Sequence, residues 1–528
     1  MISASGMSFH SHFAQIDQST WRTAIKQVTP PFWSAFAVDR LSMQPLQEQI
    51  AEYLRHAILS GHLSSGTRLP STRAFALELD VSRQTVVLAY DRLIEEGYAQ
   101  GVRGSGVYVA TTLPEALDLA ADAPALSVEP EIEHAISALS VRGCNLVSLP
   151  VTPVRRQPGL LAPGVPALDA FPFEIWARLS ARFWRNRPAS DQLGYADPAG
   201  FRPLREAIAI HLGATRGLSC EADDVIITSG SQHAIDLAVR LLIDAGDKVW
   251  VENPGYVAGH SAIEGAGGLV VPVPVDEEGL AVDVAKRLAP DARLAVVTPS
   301  HQYPLGVTMS LRRRLALLAW AEQAHAWIVE DDCDGDYRYA GRPLHPLRAL
   351  GRQSAVNRVI YVGTFAKVLA PGLRMGFLVA PPGLAEPFAR ARALCDRQSP
   401  TPLQITLAEF IGEGHFASHL RRMRALYVER RDTLLHELDR YCADDLDWAG
   451  MAPDAGLHLA ARLRNASSPD ADMRVWHAAN SLGLQTPPLS RHYRSDAQAG
   501  LVIGFGATLP GKITNAVKRL KRALTDDV

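Results

Sequence analysis

The sequence predicts an α/β protein with a small helical unit ahead of it, and three observations carry that prediction. Between about Leu160 and Pro400, short apolar runs ending in turn signals alternate with amphipathic segments: DDVIIT, DKVWVE, GLVVPVPV, ARLAVVTPS, AWIVEDD, RVIYVGT and GFLVA. That alternation is the signature of a mainly parallel sheet covered by helices. Ahead of it, residues 41–110 hold three helical patterns followed by a Gly-rich hairpin pattern. The full 528 residues are also too many for one ordinary core, so several domains are expected.

Composition narrows the class. The chain is 47% hydrophobic and 21% charged with a mean hydropathy of -0.01, as in globular proteins. A net charge of -3 gives no global pull toward nucleic acid or anionic membrane, so DNA binding must come from local placement of charge. The five cysteines (Cys144, Cys220, Cys333, Cys395, Cys442) are scattered, and no pair has metal or redox spacing. This fits a reducing compartment, and no metal site is expected. The start, MISASGMSFHSHFAQ, has neither a basic opening nor an apolar run, and no stretch approaches transmembrane length. A cytoplasmic protein with no signal peptide and no membrane partner is expected.

Residues 1–40 show no periodicity and read as an N-terminal extension. In residues 41–110, Leu46, Ile50, Tyr53, Leu54, Ala57 and Ile58 share one helical face, and Gly61 ends that helix. Ser71 is the expected N-cap of a second helix and Ser82 of a third, which Gly97 ends. YAQGVRGSGVYVA then reads as a hairpin. Three helices and a hairpin make a winged helix-turn-helix. Its third helix enters the major groove by its N-terminal end, where Arg83, Gln84 and Thr85 reach bases and phosphates. Arg103 in the hairpin turn faces the DNA backbone or minor groove. The unit's six arginines meet seven carboxylates, so charge alone also fits a small helical docking module. Residues 111–155, rich in Ala, Pro and acids, read as a linker with at most a weak helix near Glu131–Leu139. Residues 156–528 form the large α/β domain. From about residue 400 its helical patterns and short strands read as a smaller C-terminal α/β subdomain.

Chemistry gathers at the carboxyl ends of the predicted strands, where open α/β sheets bind ligands. SGSQ opens a helix whose backbone N–H groups suit a phosphate, with the Ser231 hydroxyl as a further donor. Tyr256 sits at the next such turn and His301 at a third. AWIVEDD ends on Glu330, Asp331 and Asp332, and YVGTFAKVLAPGLRMGF supplies Thr364, Lys367 and Arg374. Each has an ordinary reading alone: Gly/Ser turns are common, loop tyrosines pack, lone histidines are structural, and carboxylates mark strands reaching solvent. Lys367 stands out, because it is the only lysine between Lys286 and Lys512 while arginine is used freely. An ε-amine can lose its proton and attack a carbonyl; a guanidinium cannot.

The stretch LRHAILSGHLSSGTRLPSTRAFALELDVSRQTVVLAYDRLIEEGYAQGVRGSGVYVA resembles the DNA-binding domain of the GntR family along its full length. The resemblance implies DNA contacts at Ser71, Arg73, Ser82, Arg83, Gln84, Thr85 and, in the RGSG wing, Arg103, Gly104 and Ser105. From about Leu160 onward the chain resembles fold-type I aminotransferases, which bind pyridoxal 5'-phosphate (PLP). This implies that Lys367 holds PLP as a Schiff base and that Asp331 pairs with the ring nitrogen. It implies further that Tyr256 stacks on the ring, that Ser231, Gln232, Thr364 and Arg374 surround the phosphate, and that His301 and Cys333 also border the cofactor. Tyr195, in GYADPAGF, would reach a phosphate across a dimer interface. The order of the two modules is that of the MocR/GabR regulators, as are VENPGY, PSHQYPLGVTMSLRRRLALLAWA, VEDD and GTFAKVLAPGLRMGF. The implied protein is a homodimeric, PLP-dependent transcription regulator on double-stranded operator DNA. It would sense PLP itself, or a small amine or amino acid that reacts with it. An active aminotransferase carrying a DNA-binding domain is the alternative.

The sequence departs from that pattern. Two residues after the acid the family usually has a Tyr; here it is Cys333, a weaker donor. Ala366 replaces the usual Ser before the lysine, and Ala258 stands where the GABA-sensing branch has an Arg. The substrate-carboxylate Arg near the C-terminal strand is missing from GLVIGFG; the nearest candidates are Arg491 and Arg494. Loss of a bidentate carboxylate clamp argues against GABA as ligand and against general amino-acid turnover.

Overall fold

The computed structural model describes residues 38–525 apart from 41, 43, 61, 103–105, 112–138, 152–158, 187–189, 340–344, 352–356 and 449–453. The chain divides into two compact units, Met1–Ala138 and Leu139–Val528.

In the first unit, helices α1 (Leu46–Leu59), α2 (Thr72–Glu78) and α3 (Arg83–Glu95) enclose a core that includes Ile50, Leu54, Phe75, Val86 and Leu93. Ser71 caps α2 by accepting from the Ala74 amide at 3.2 Å, and Ser82 caps α3 by accepting from the Thr85 amide at 3.1 Å. Both caps stand where the sequence expects them, because a serine oxygen satisfies an amide that the first helical turn leaves unpaired. Strands β1 (Ala99–Val102) and β2 (Gly106–Val109) pair antiparallel with Ala99 opposite Val109.

The second unit begins with helix α4 (Val141–Ser148), which falls inside the predicted linker. Ser140 caps it, Arg142 donates to the Gly265 carbonyl at 3.4 Å, and the carbonyl of Pro150 accepts from the Ser261 hydroxyl at 2.8 Å. None of its eight residues is buried, and eight residues are too few to hold a helix by themselves; its contacts run to the helix Val257–Gly265. The weak helix expected near Glu131–Leu139 lies almost wholly outside the described residues.

The predicted strands form one eight-stranded sheet. They are β3 (Val225–Thr228), β4 (Lys248–Asn253), β5 (Leu269–Asp276), β6 (Gly279–Leu280), β7 (Leu294–Val297), β8 (Trp327–Asp331), β9 (Val359–Thr364) and β10 (Gly376–Val379). Their order is β3-β10-β9-β8-β7-β4-β5-β6. The run β9-β8-β7-β4-β5 is parallel, while β10 is antiparallel to both neighbours and β6 to β5. Both sheet faces are covered. Along β4, Trp250 packs into one core, stacked on Trp320 at 3.8 Å, while Val249 and Val251 pack into the other. Burial on two faces explains why these strands read as continuous apolar runs.

Helices α5 (Arg202–Arg216), α6 (Ser231–Leu242), α7 (Val257–Gly265) and α8 (Leu311–Gln323) belong to this domain. The smaller C-terminal part is built from α9 (His415–Cys442), α10 (Pro510–Thr525) and an antiparallel sheet in the order β11-β12-β13. Those strands are Leu446–Asp447, His458–Leu463 and Gly500–Gly504.

Candidate functional site

In the first unit, Ser71, Arg73, Ser82, Arg83 and Gln84 are exposed at the starts of α2 and α3, and Thr85 is half-buried. The Arg83 Nε donates to the Thr72 hydroxyl at 3.3 Å, tying the two helix starts together. Arg103, Gly104 and Ser105 lie outside the described residues. Arg68, which the sequence reading passed over, lies against the wing: a Cβ on Gly106 would sit 3.2 Å from its Nε.

In the second unit, the ends of β3, β4, β7, β8 and β9 and the start of β10 bring the other candidates, Tyr195 apart, to one sheet edge. Gly230, at φ +109°, turns the chain from β3 into α6, so Ser231 opens that helix. The Arg374 guanidinium lies alongside, 3.6 Å from where a Gly230 Cβ would be. A helix N-terminus beside an exposed guanidinium is a site for an anion. Gln232 donates to the Ala258 carbonyl at 2.8 Å, and its Oε1 is buried without a partner among the described residues. The Thr364 hydroxyl accepts from the Ala366 amide at 3.2 Å.

Lys367 lies three residues beyond β9, and its Nζ donates to the Gly164 carbonyl at 2.7 Å. Gly164 has φ +68°, and a Cβ there would stand 2.7 Å from Nζ. Two acids end the neighbouring strand β8 and Asp332 follows it, and the structure separates the three. Glu330 accepts from the amides of Leu347 at 2.7 Å and Arg348 at 3.0 Å. Asp332 is bound by Arg216 and by the Tyr361 hydroxyl at 2.6 Å. Asp331 is buried and has no ion pair among the described residues; its Oδ1, like that of Asp332, has no hydrogen-bond partner there. Burial, then Asp332 and Asp334, lift its carboxyl to about 7, with Lys367 acting in the opposite direction. Successive strand residues point to opposite faces, so a structural pair at Asp332 leaves Asp331 on the other side.

Around this pair stand aromatic and imidazole rings. Tyr256 is the residue before α7, and its ring meets that of Tyr303 edge-on at 6.3 Å. Burial, then Asp331 and Cys333, push the Tyr256 phenol up. The Cys333 thiol is also pushed up, first by burial and then by Asp334 and Asp331, so it stays protonated. The His301 Nδ1 lies 3.0 Å from the Asp334 carboxylate, and its ring is 5.0 Å from that of His458. Burial would raise Asp334, but His301 holds it below the usual range. His458 is pushed down to about 3 by burial and then by His301. Tyr256, Asp331, Glu252, His260 and Thr298 line a small cavity.

Tyr195 is 83% exposed, with the Arg397 guanidinium 4.3 Å above its ring. Neither candidate for a carboxylate clamp is uncommitted. Arg491 stacks on Trp476 at 4.7 Å, and Arg494 pairs with Glu264 at 2.8 Å. The sequence reading missed Gly164, Tyr303, Asp334 and His458. Tyr303 sits inside a stretch already singled out and Asp334 directly follows Cys333; Gly164 and His458 arrive from remote segments that carry no local signal.

The donor set suits a flat, phosphorylated, protonatable ring bearing a carbonyl. It offers an amine for the carbonyl, an unpaired buried carboxyl for a ring N–H, an aromatic face and an anion cradle. The family model for class I and II aminotransferases matches residues 167–487, and that for bacterial regulatory proteins of the gntR family matches residues 46–109. The chain is 41% identical over 490 residues to the probable rhizopine catabolism regulatory protein MocR of Rhizobium meliloti, covering 92% of this chain and 95% of that one. It is 34% identical to the pyridoxine biosynthesis transcriptional regulator PdxR of Corynebacterium glutamicum, covering 87% and 91%. Among solved structures, the kynurenine aminotransferase of Pyrococcus horikoshii, a complex with PMP, superposes with a TM-score of 0.64 at 28% identity, covering 78% of this chain and 96% of that one.

Proposed function

Since the chain belongs to the class I and II aminotransferase family, as a MocR-type member with a gntR-family helix-turn-helix unit in front, we propose that it is a PLP-dependent, DNA-binding transcription regulator. The exposed start of α3, with Arg83, Gln84 and Thr85, reads operator DNA in the major groove, and Arg73 and the wing contact phosphates. In the large domain Lys367 binds PLP covalently. When bound, PLP supplies an electrophilic carbon that captures amines and a ring that accepts electron density. Asp331 holds a proton at the ring nitrogen, and Tyr256 covers the ring. Ser231, the start of α6, Gln232, Thr364 and Arg374 hold the phosphate. His301 and Cys333 border the ring edge, and Tyr195 serves the second subunit of a homodimer. PLP, or an amine reacting with it, shifts the balance between states of differing operator affinity. Such a regulator works in the cytoplasm.

One observation carries the reading: the buried carboxyl of Asp331, whose Oδ1 has no partner among the described residues, within the electrostatic reach of Lys367. The test is the visible spectrum of the full chain beside Lys367→Ala, before and after adding PLP. A band in the wild type, reducible by borohydride and absent in the variant, is expected. No band with excess PLP would leave the large domain as a scaffold. Retardation of the chain's own upstream DNA at physiological salt tests the other half. Turnover as an aminotransferase is the second reading, supported by the likeness to the kynurenine enzyme. The engagement of Arg491 and Arg494 weighs against it.

A further inference from the structure

Three side chains with metal-binding atoms converge near Lys367. His301 follows β7, Asp334 follows β8, and His458 opens β12 of the small C-terminal sheet. All three are buried, and one ligand atom from each lies within 4.8 Å of the other two. Lys367 acts on both Asp334 and His458, which places the cluster in the surroundings of that lysine. The three residues come from separate stretches of chain, so no local spacing betrays them.

The His301–Asp334 contact alone is an ordinary buried ion pair, with Nδ1 standing 3.0 Å from the carboxylate Oδ2. The second imidazole changes its meaning. The His458 ring lies 5.0 Å from that of His301, and its Nε2 stands 3.2 Å from the Pro304 carbonyl. A carbonyl only accepts, so this Nε2 donates and, in the neutral ring, Nδ1 keeps a lone pair. Metal-binding histidines are held in this way: one nitrogen donates to a backbone carbonyl while the other faces the ion. On His301 the buried Nε2 has no partner among the described residues, so only Asp334 competes there for the ring.

An ion with bonds of about 2.0–2.2 Å spaces tetrahedral ligands by roughly 3.4 Å. The His301–Asp334 pair is near that already, and the other spacings, at most 4.8 Å, close by side-chain rotation. Gly456 makes room for the pair. It has φ +72°, and a Cβ there would collide with the His301 ring and stand 2.6 Å from the Asp334 Oδ2. Two imidazoles and one carboxylate suit a divalent transition metal better than magnesium or calcium, which take oxygen ligands. Asp334 supplies a buried negative charge for the ion, and the lysine acting on it turns its Nζ to the Gly164 carbonyl.

We propose that His301, Asp334 and His458 bind one divalent transition-metal ion of the zinc class, with a fourth position left for water. The ion ties the small C-terminal sheet to the loops that follow β7 and β8. The proposal does not rest on the PLP-dependent reading above.

The test uses the full chain without PLP, stripped of metal by a chelator and titrated with cobalt(II) while the visible bands of the bound ion are read. About one equivalent per chain is expected. Zinc(II) should displace the cobalt, magnesium should not, and zinc should raise the thermal midpoint. His458→Gln and Asp334→Asn should each weaken cobalt binding by at least about a hundredfold, the upper range for losing even a hydrogen-bond partner of a ligand. No saturable uptake, the same affinity in the folded variants, or equal competition by magnesium would overturn the proposal. Should both variants fail to fold by circular dichroism, X-ray absorption of the zinc-loaded wild type decides. Two imidazoles around the ion are expected there, and fewer would overturn it.

Discussion

Asp331 and Asp332 are adjacent acids that should respond oppositely to the same substitution. In the cofactor-free protein, Asp331 is a buried carboxyl lifted from 3.8 to about 7. At about 1.4 kcal/mol per pKa unit, that rise costs about 4 kcal/mol once the group is ionised. The folded value lies above the unfolded one, so the stability is intact below about pH 4 and is lost as pH rises through about 7. Asp331→Asn removes the charge but leaves amide groups poorly satisfied, which takes back about 1–3 kcal/mol. The net expectation is a gain of about 1–3 kcal/mol at pH 8, shrinking to nothing or a small loss by pH 5. Asp332→Asn does the reverse. It strips the counter-charge from Arg216, which is only 6% exposed, and should cost about 3–5 kcal/mol. Urea unfolding of both variants without cofactor, at pH 8 and pH 5, checks this. Added PLP at a hundred times its Kd should stabilise the wild type by about 2.7 kcal/mol and Asp331→Asn by much less. An Asp331→Asn variant no more stable than wild type at pH 8, or one that PLP stabilises as strongly, would refute the reasoning.

Three further outcomes follow from single contacts. Gly164→Ala sets a Cβ 2.7 Å from the Lys367 Nζ at a backbone φ of +68°, so the fraction trapped by borohydride with PLP should fall severalfold while the fold survives in circular dichroism. Arg83→Ala should weaken operator binding and lower the salt slope by about one, as measured by retardation at several salt concentrations. Ser82→Ala removes the α3 cap and a 2.8 Å contact with the Thr85 hydroxyl, and should lower the stability of the first unit by about 1 kcal/mol in thermal melts.

Much of the fold was legible because its signals are local. The apolar runs from DDVIIT to GFLVA became the strands of the large sheet, since strands buried on both faces have little choice of composition. The caps at Ser71 and Ser82 were equally legible. Helix α4 was not, because its eight residues, none of them buried, give too short a pattern within a stretch that otherwise reads as linker. Within the site, Tyr256, Asp331, Lys367 and Arg374 were named from strand ends and family likeness. Their neighbours Gly164 and His458 were invisible, since they lie 203 and 91 residues from Lys367.

The sequence by itself determined the class of the molecule: a helix-turn-helix unit, an α/β domain with its chemistry at the strand ends, and a lysine kept where arginine would otherwise serve. These follow from spacing, caps and residue type, which are properties of short segments. Only the tertiary structure decided that Asp332 pairs with Arg216 while Asp331 makes no ion pair among the described residues, and that Arg494 pairs with Glu264. A side chain's charge state and availability depend on what the rest of the chain brings within hydrogen-bond reach, and partners from remote segments meet only when the sheet and its helices have packed.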